Sequence, residues 1–467
     1  MKNSLFVTLL FLLVAHLHAN DRPHIILVMT DDQGWGQTGY YGHSHLKTPH
    51  LDAMAANGLR LDRFYAGASN CSPTRATVMT GRTNDRSGVH DHGFPMRKQE
   101  KTVAQALRDS GYNTAHFGKW HLNGLRGPGV PILGDDTHSP GAFGFDTWLS
   151  VTNFFDMDPE MSRLGEFESY EGDSSEVSVD QALKFIAANK GGEAPMFIVI
   201  WFGTPHSPMI ASEEDRAPFA DLPTNQQHQF GELVAMDRSM GALRNGLREM
   251  GIADDTLLWF NSDNGGLSGY GDDTVGGLRG FKNTMYEGGL RVPGIIEWPS
   301  VIKPRVTTYP AGTVDIFPTL AEIAGLPPSV MLKPIDGISI RSLFDAEIGP
   351  RETPLFFRHR ERGVILENTM KLLVTKESIE LYDLEADEKE ANNLAEAKPE
   401  VAERMKAAYL AWEEGVEASV AGRDYPEGEV DPDQPARRFW RDDPAYAPYA
   451  EKWMAKVDPP KKNKKAK

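Results

Sequence analysis

Cysteine is almost absent: 467 residues contain one, Cys71. A lone thiol cannot form an intramolecular disulfide, so the fold must be stabilised by its core. Positive charge is also short, 49 Lys and Arg against 66 Asp and Glu, for a formal charge of −17. That balance argues against nucleic acid or an anionic membrane as the main partner, and an anionic substrate would need a local basic pocket. Long apolar runs are missing except at the amino end, where "MKNSLFVTLLFLLVAHLHAND" places Lys2 before an apolar stretch at residues 5–15 and Ala19 after it. The stretch is too short to span a bilayer and has the pattern of a secretory signal peptide, with cleavage expected after Ala19. An exported protein, periplasmic or extracellular and without stable membrane insertion, is the expectation. Internal repeats are lacking, and an apolar fraction of 40% with 25% charged residues excludes the disordered and fibrous classes.

What is present is a series of short apolar runs that each end in polar residues. "PHIILVMTDDQGWG" reads as a buried strand over residues 24–29 followed by Asp31 and Asp32. "LLWFNSDNGG" repeats the device at residues 257–260, followed by Asp263 and Asn264, and "PMFIVIWFGTPHSP" places His206 just beyond a third run. Helical patterns lie between them, such as "TVAQALRDSG" closed by Gly111 and "FGELVAMDRSMGALRNGLREMG" closed by Gly251. The alternation predicts an α/β fold: a large, mainly parallel or mixed sheet sandwiched by helices, with ligands beyond the carboxyl ends of its strands. From about Pro354 the pattern changes to several short antiparallel strands and one amphipathic helix, "PEVAERMKAAYLAWEEGVEA". The expected division is a signal at 1–19, a catalytic domain at 20–353 and a smaller C-terminal α+β domain at 354–467. Its proline-rich, charged end should wrap the surface irregularly and finish in the lysine run "KKNKKAK", a solvated tail.

The segment around the cysteine, "NCSPTRATVMTGR", predicts a short helix starting just after Cys71, with Ser72 as N-cap, Pro73 as first residue and Gly81 as stop. Unpaired N–H groups and the positive end of the helix dipole suit an anion there, and Arg75 adds a fixed positive charge. A small buried thiol packed as a hydrophobe is the plainer alternative. Asp31, Asp32, Asp263 and Asn264 offer only oxygen donors, which suit calcium or magnesium over zinc. Taken one at a time they could equally cap loops.

Cys71-Ser72-Pro73-Thr74-Arg75, with Ala76 and then Thr80-Gly81-Arg82, resembles the signature of the type I sulfatases, of the alkaline-phosphatase-like superfamily. "GYNTAHFGKWH" resembles that family's second signature and supplies Lys119 and His121, and "LRGFKNTMYEGGLRVP" resembles its lysine motif and supplies Lys282. "DDQGWG", "TPHSP" and "DNGG" match further landmarks, and "IELYDLEADEKEANNLAE" resembles the close of the family's smaller domain. The resemblance implies one calcium ion held by Asp31, Asp32, Asp263, Asn264 and the side chain at position 71. It implies that Cys71 is oxidised by a formylglycine-generating maturation enzyme to an aldehyde, whose hydrate attacks sulfur. Arg75, Lys119 and Lys282 would surround the ester, His206, alone or together with Lys282, would protonate the leaving oxygen, and His121 would accept the proton that lets sulfate leave.

The expected substrate is a sulfated carbohydrate or an aryl sulfate, the carbohydrate favoured because of export. Tyr40, Tyr41, His43 and His45 in "TGYYGHSH", and the stretch "NFFDMDPEMSRLGEFESYEGDSSE", are candidates for the pocket mouth and equally fit ordinary loops. A phosphatase or phosphodiesterase of similar architecture is the rival enzyme, although a two-zinc site would need further histidine-rich ligands. A sulfated-glycan-binding protein that keeps its thiol is the non-catalytic alternative.

Overall fold

The computed structural model describes residues 22–457, so the expected signal segment and the terminal lysine run lie outside the described residues. Five parallel strands form the middle of a ten-stranded sheet. In chain order they are β1 (His24–Thr30), β2 (Asn113–Lys119), β3 (Thr147–Val151), β4 (Met196–Trp201) and β5 (Thr256–Ser262), and in space they run β5, β1, β4, β2, β3. Short strands, all but one of them antiparallel to their inner neighbours, extend both edges. The sheet is therefore mixed, with a parallel centre, as expected.

The central runs are apolar throughout because both faces are covered. Along β1, Ile25, Leu27 and Met29 join one core with Phe197, Trp201 and Trp259, while Ile26 and Val28 join the opposite core with Ile198, Ile200 and Phe260. Each such buried side chain stabilises the fold by about 1.5–3 kcal/mol. The helix α1 (Cys71–Thr80) backs one face, joined by α2 (Val103–Asp109), whose Thr102 forms a capping box with Gln105. The long helix α3 (Thr224–Glu249) covers the other.

A separate four-stranded antiparallel meander follows: β6 (Leu355–His359), β7 (Arg362–Glu367), β8 (Met370–Val374) and β9 (Ile379–Asp383). Period-two alternation gives it two apolar faces. Phe357, Val364, Leu366 and Tyr382 pack on Tyr65, Leu290 and Val314 of the larger unit, and Ile365, Leu372 and Leu381 pack on Met405 and Tyr409 of α4 (Pro399–Val420). The charged tail then leaves this sheet and returns to the larger unit, where it forms a separate two-stranded sheet. Arg438–Phe439 pairs in parallel with Leu125–Arg126, and Trp440, Tyr446 and Trp453 bury against Leu125, Val130 and Leu133.

One local expectation is corrected. The cysteine helix begins at Cys71 itself, with Asn70 as N-cap, not after Ser72. The Ser72 hydroxyl accepts from the Gly93 N–H at 2.7 Å instead of capping, and the Asn70 amide donates to Asp91 at 2.6 Å. Gly81 ends the helix in the left-handed conformation, as its position predicts.

Candidate active site

The parallel strands bring their carboxyl ends to one edge. Register pairs Thr30 with Ser262, so Asp31 and Asp32 stand beside Asp263 and Asn264. The Asp32 N–H donates to Asp263 Oδ1 at 3.1 Å, and Asn264 Nδ2 donates to Asp32 Oδ1 at 2.8 Å. Asp31, Asp32, Asp263 and Cys71 all place one ligand atom within 4.8 Å of the others. Asp31 Oδ1 and Asn264 Oδ1 are buried there without a hydrogen-bond donor. Bare buried acceptors of this kind cost about 1–3 kcal/mol each unless something positive meets them. An all-oxygen set with two such atoms fits a hard divalent cation of the calcium type.

Three cations face the three carboxylates. Lys119, the last residue of β2, donates to Asp31. Arg75, one turn into α1, donates to Asp263 Oδ2 at 2.8 Å and lies 5.1 Å over the Trp201 ring. Lys282 Nζ is 2.6 Å from Asp32 Oδ1 and 3.3 Å from Cys71 Sγ. Burial on its own would raise Asp31, but Lys119, His206, Arg75 and Lys282 outweigh it and hold this carboxyl well below the usual range. Asp263, which burial and then Asp31 push upward, reaches about 7. The Cys71 thiol is driven far above its ordinary value by burial and then by Asp31, although Lys119 and Lys282 pull the other way.

Close backbone contact fixes the Lys282 loop. Lys282 N–H donates to Gly266 O at 3.0 Å and Asn283 N–H to Ser69 O at 2.8 Å, which ties the loop to both the turn after Asp263 and Asn264 and the cysteine segment. A Cβ on Gly265 would lie 1.9 Å from Gly288 O, so only glycine lets the two turns meet. Asp32, His121 and Asn283 all hold positive φ, of 70°, 57° and 69°. Left-handed backbone at non-glycine residues is costly, and three cases at one site mark positions held by their surroundings.

His121 is 2% exposed and neither ring nitrogen has a partner. Burial and then Lys119 pull its pKa well below the ordinary value. His206 Nδ1 lies 2.6 Å from Ser207 O, which fixes that nitrogen as the donor and leaves Nε2 toward Asp32 Oδ2 at 3.8 Å. Phe154 stacks on its ring at 4.4 Å and 10°, and burial followed by Lys282 lowers its pKa to about 4.

Of the predicted residues, Cys71, His121, His206 and Lys282 line a cavity of about 430 Å³. Arg75, Lys119, Asp31, Asp32, Asp263 and Asn264 lie beneath it, each 0% exposed. "TGYYGHSH" is absent from the cavity wall: Tyr41 stacks on Trp35 at 3.8 Å, and His43 meets Phe230 edge-on. Sequence reasoning missed Arg126, His92, Arg360 and Phe439 in the wall, whereas Asn153, which follows β3, is the first residue of the acidic-aromatic stretch expected at the mouth. Phe154 falls in the same stretch. For Asn153 the polar residue after an apolar strand was a usable signal; Phe439, more than 300 residues downstream of Arg126, had none.

The general sulfatase family model matches residues 23–326, and the geometry above falls inside that span apart from the rim. The chain belongs to the sulfatase family. It is 32% identical to arylsulfatase A of Homo sapiens, over 86% of this chain and 90% of that protein. It is 30% identical to N-acetylgalactosamine-6-sulfatase of Canis lupus familiaris, over 72% of this chain and 68% of that protein. Among solved structures, Ps i-CgsB in complex with k-i-k-neocarrahexaose superposes with a TM-score of 0.76 at 24% identity, covering 84% of this chain and 92% of that chain, a likeness of fold. This sulfatase is thus a sulfuric ester hydrolase, and none of its helices among the described residues is long and apolar enough to cross a membrane.

Proposed function

We propose that the protein is an exported carbohydrate sulfatase whose nucleophile is formylglycine made from Cys71, with calcium held by Asp31, Asp32, Asp263, Asn264 and the position 71 side chain. The observation that carries this reading is the place of Cys71 Sγ: at the amino end of α1, 3.3 Å from Lys282 Nζ and within the carboxylate cluster. A thiol pushed so far up by burial stays protonated near neutrality and is a poor nucleophile, which supports a precursor role over direct thiolate attack. The converted side chain would supply a nucleophilic hydroxyl and a second one able to expel sulfate, and the metal would supply positive charge for both.

The protein's own groups divide the remaining work. Three carboxylates balance Arg75, Lys119 and Lys282, so a divalent cation held by them leaves a net positive floor for an anionic ester. Lys282 reaches the position 71 side chain and binds an ester oxygen there. His206, anchored through Nδ1, turns Nε2 to the leaving oxygen, and an anionic ester beside it raises its hold on a proton. His121, with two unpartnered nitrogens, accepts the proton from position 71. The leader pattern at residues 1–19 supports export, and an exported enzyme meets envelope or environmental polymers, which favours a sugar sulfate as substrate.

Mass spectrometry of the peptide "FYAGASNCSPTR" tests the nucleophile, since conversion of thiol to aldehyde lowers its mass by about 18 Da. Cys71→Ser should fold and bind calcium yet release no sulfate catalytically. A protein that retains its thiol and turns over at full rate would overturn the reading.

A further inference from the structure

The rim of the cavity carries a charge that the floor does not explain. Arg126 lies in its wall, paired through the Leu125–Arg126 strand to Arg438–Phe439, and its guanidinium sits 4.4 Å over the Phe439 ring. Among the described residues it has no carboxylate partner, and its Nε is buried without an acceptor. Arg437 also has a buried Nε without an acceptor, and its nearest polar contact is His92 Nε2 at 3.5 Å. Burial and then repulsion from Arg126 lower its proton affinity, against the pull of Asp91. Arg360, at the tip of the β6–β7 hairpin, reaches the wall with a side chain 68% exposed, 3.2 Å from Asp91.

Asp91, the carboxylate that Arg360 and Arg437 share, is already engaged. Asp91 accepts from Asn70 Nδ2 at 2.6 Å and from the His92 N–H at 2.8 Å. The opposite side of the mouth has the reverse sign: Asp156, Asp158 and Glu160 line an adjoining depression that shares Pro128 and Phe154 with the cavity. In a protein of charge −17, guanidinium groups with open donor positions at the entrance of an anion site are selective for a further anion.

We propose that Arg126 and Arg360 in the cavity wall, with Arg437 on the Phe94 ring adding its positive field, form a second oxyanion subsite, which takes a sulfate or carboxylate on the sugar next to the one whose ester is cleaved. The preferred substrate is then a multiply charged glycan, entering with its charged neighbour on the arginine side. This rests on the sulfatase reading above and adds the class of its leaving group.

The test compares kcat/KM of the matured, calcium-loaded enzyme on three disaccharides carrying the same cleavable sulfate: one with a neutral neighbour, one with a sulfated neighbour and one with a uronate neighbour. An aryl sulfate serves as reference. The expected result is a preference of about tenfold or more for a charged neighbour, the two charged arms showing which oxyanion is taken. Arg126→Ala and Arg360→Ala should collapse that ratio, and Arg126→Lys, which keeps charge and bulk but not the fork, should restore part of it. Arg360 lies on an exposed hairpin, so its variant leaves the core untouched if Arg126→Ala folds poorly. Hydrolysis of all three with a ratio near one, or a ratio unchanged in the variants, overturns the subsite alone. Failure to hydrolyse any of them or the aryl sulfate overturns the sulfatase reading and the subsite with it.

Discussion

Lys371→Met should destabilise the fold more than any change at the surface. Lys371 on β8 is 1% exposed, and it pairs with Glu287 at 2.9 Å and Glu390 at 2.8 Å, both 0% exposed. Glu287 also accepts from Tyr65 Oη at 3.0 Å, and Glu390 accepts from the Glu287 N–H at 2.7 Å. One ammonium thus joins the small sheet to the turn that follows the Lys282 loop. Burial alone would raise Glu287, but Lys371 and Arg291 hold it down, whereas burial keeps Glu390 raised. Methionine fills the space and leaves two buried carboxylates with no ammonium, at a cost of about 3–5 kcal/mol. Without the ammonium, both glutamates take folded-state pKa values above their unfolded ones. Their folded forms then bind protons more tightly, so the deficit is smallest at low pH and grows as pH rises through those raised values. Urea unfolding followed by tryptophan fluorescence at pH 5.5 and 8 measures both effects. Lys371→Met combined with Glu287→Gln and Glu390→Gln should recover most of the loss, because no unpaired buried carboxylate remains and Arg291 keeps Glu388 at 3.7 Å. A deficit under about 1 kcal/mol at pH 8, or one that shrinks as pH rises, would refute the reasoning.

Three further changes probe the site and its scaffold. Asp263→Asn removes a charged ligand oxygen and the partner of Arg75; calcium at 100 times its Kd should stabilise the parent by about 2.7 kcal/mol, and thermal melts should show that gain lost in the variant at the same concentration. His206→Ala should slow sugar sulfates, whose leaving alkoxide needs a proton, by about 10²–10⁴-fold, and nitrophenyl sulfate far less; equal losses on the two substrates would remove His206 from the proton-donor role. Gly118→Ala meets a φ of 99° and places its Cβ 2.1 Å from Trp201 O on the neighbouring strand; a stability loss of at least about 1–3 kcal/mol by calorimetry is expected, and none would mean that β2 can shift without cost.

The strands that carry the site are legible because burial on both faces forces unbroken apolar runs, and the polar residue that ends each run is the one delivered to the sheet edge. Asp31, Asp263 and His206 were readable in that way before any geometry. The start of α1 was not, because Ser72 has good capping chemistry and only the tertiary contact to Gly93 shows its hydroxyl occupied elsewhere. The aromatic cluster of "TGYYGHSH" left two readings open for a related reason. Ring chemistry is the same whether a tyrosine lines a pocket or packs on Trp35 beside Arg60, and the choice is made by the fold. The tail was legible as irregular, but its two-residue pairing with Leu125–Arg126 carries no periodicity and so left no trace in the sequence.

Charge shows the same division between what composition states and what folding decides. The total of −17 predicts a protein that repels anions. At the floor of the cavity, Arg75, Lys119 and Lys282 are matched one for one by carboxylates, so these cations alone do not give the site its affinity for a sulfate ester. On the proposed reading that affinity comes from a divalent cation held below and from the Arg126 and Arg360 guanidinium groups at the entrance. The floor comes from motif residues near four strand ends and a helix start, whereas the entrance is assembled from Arg126, the β6–β7 hairpin and the returning tail. On the proposed reading, cleavage chemistry and choice of substrate reside in different parts of the chain, and the second can change by substitution in the hairpin or the tail while the first is left intact.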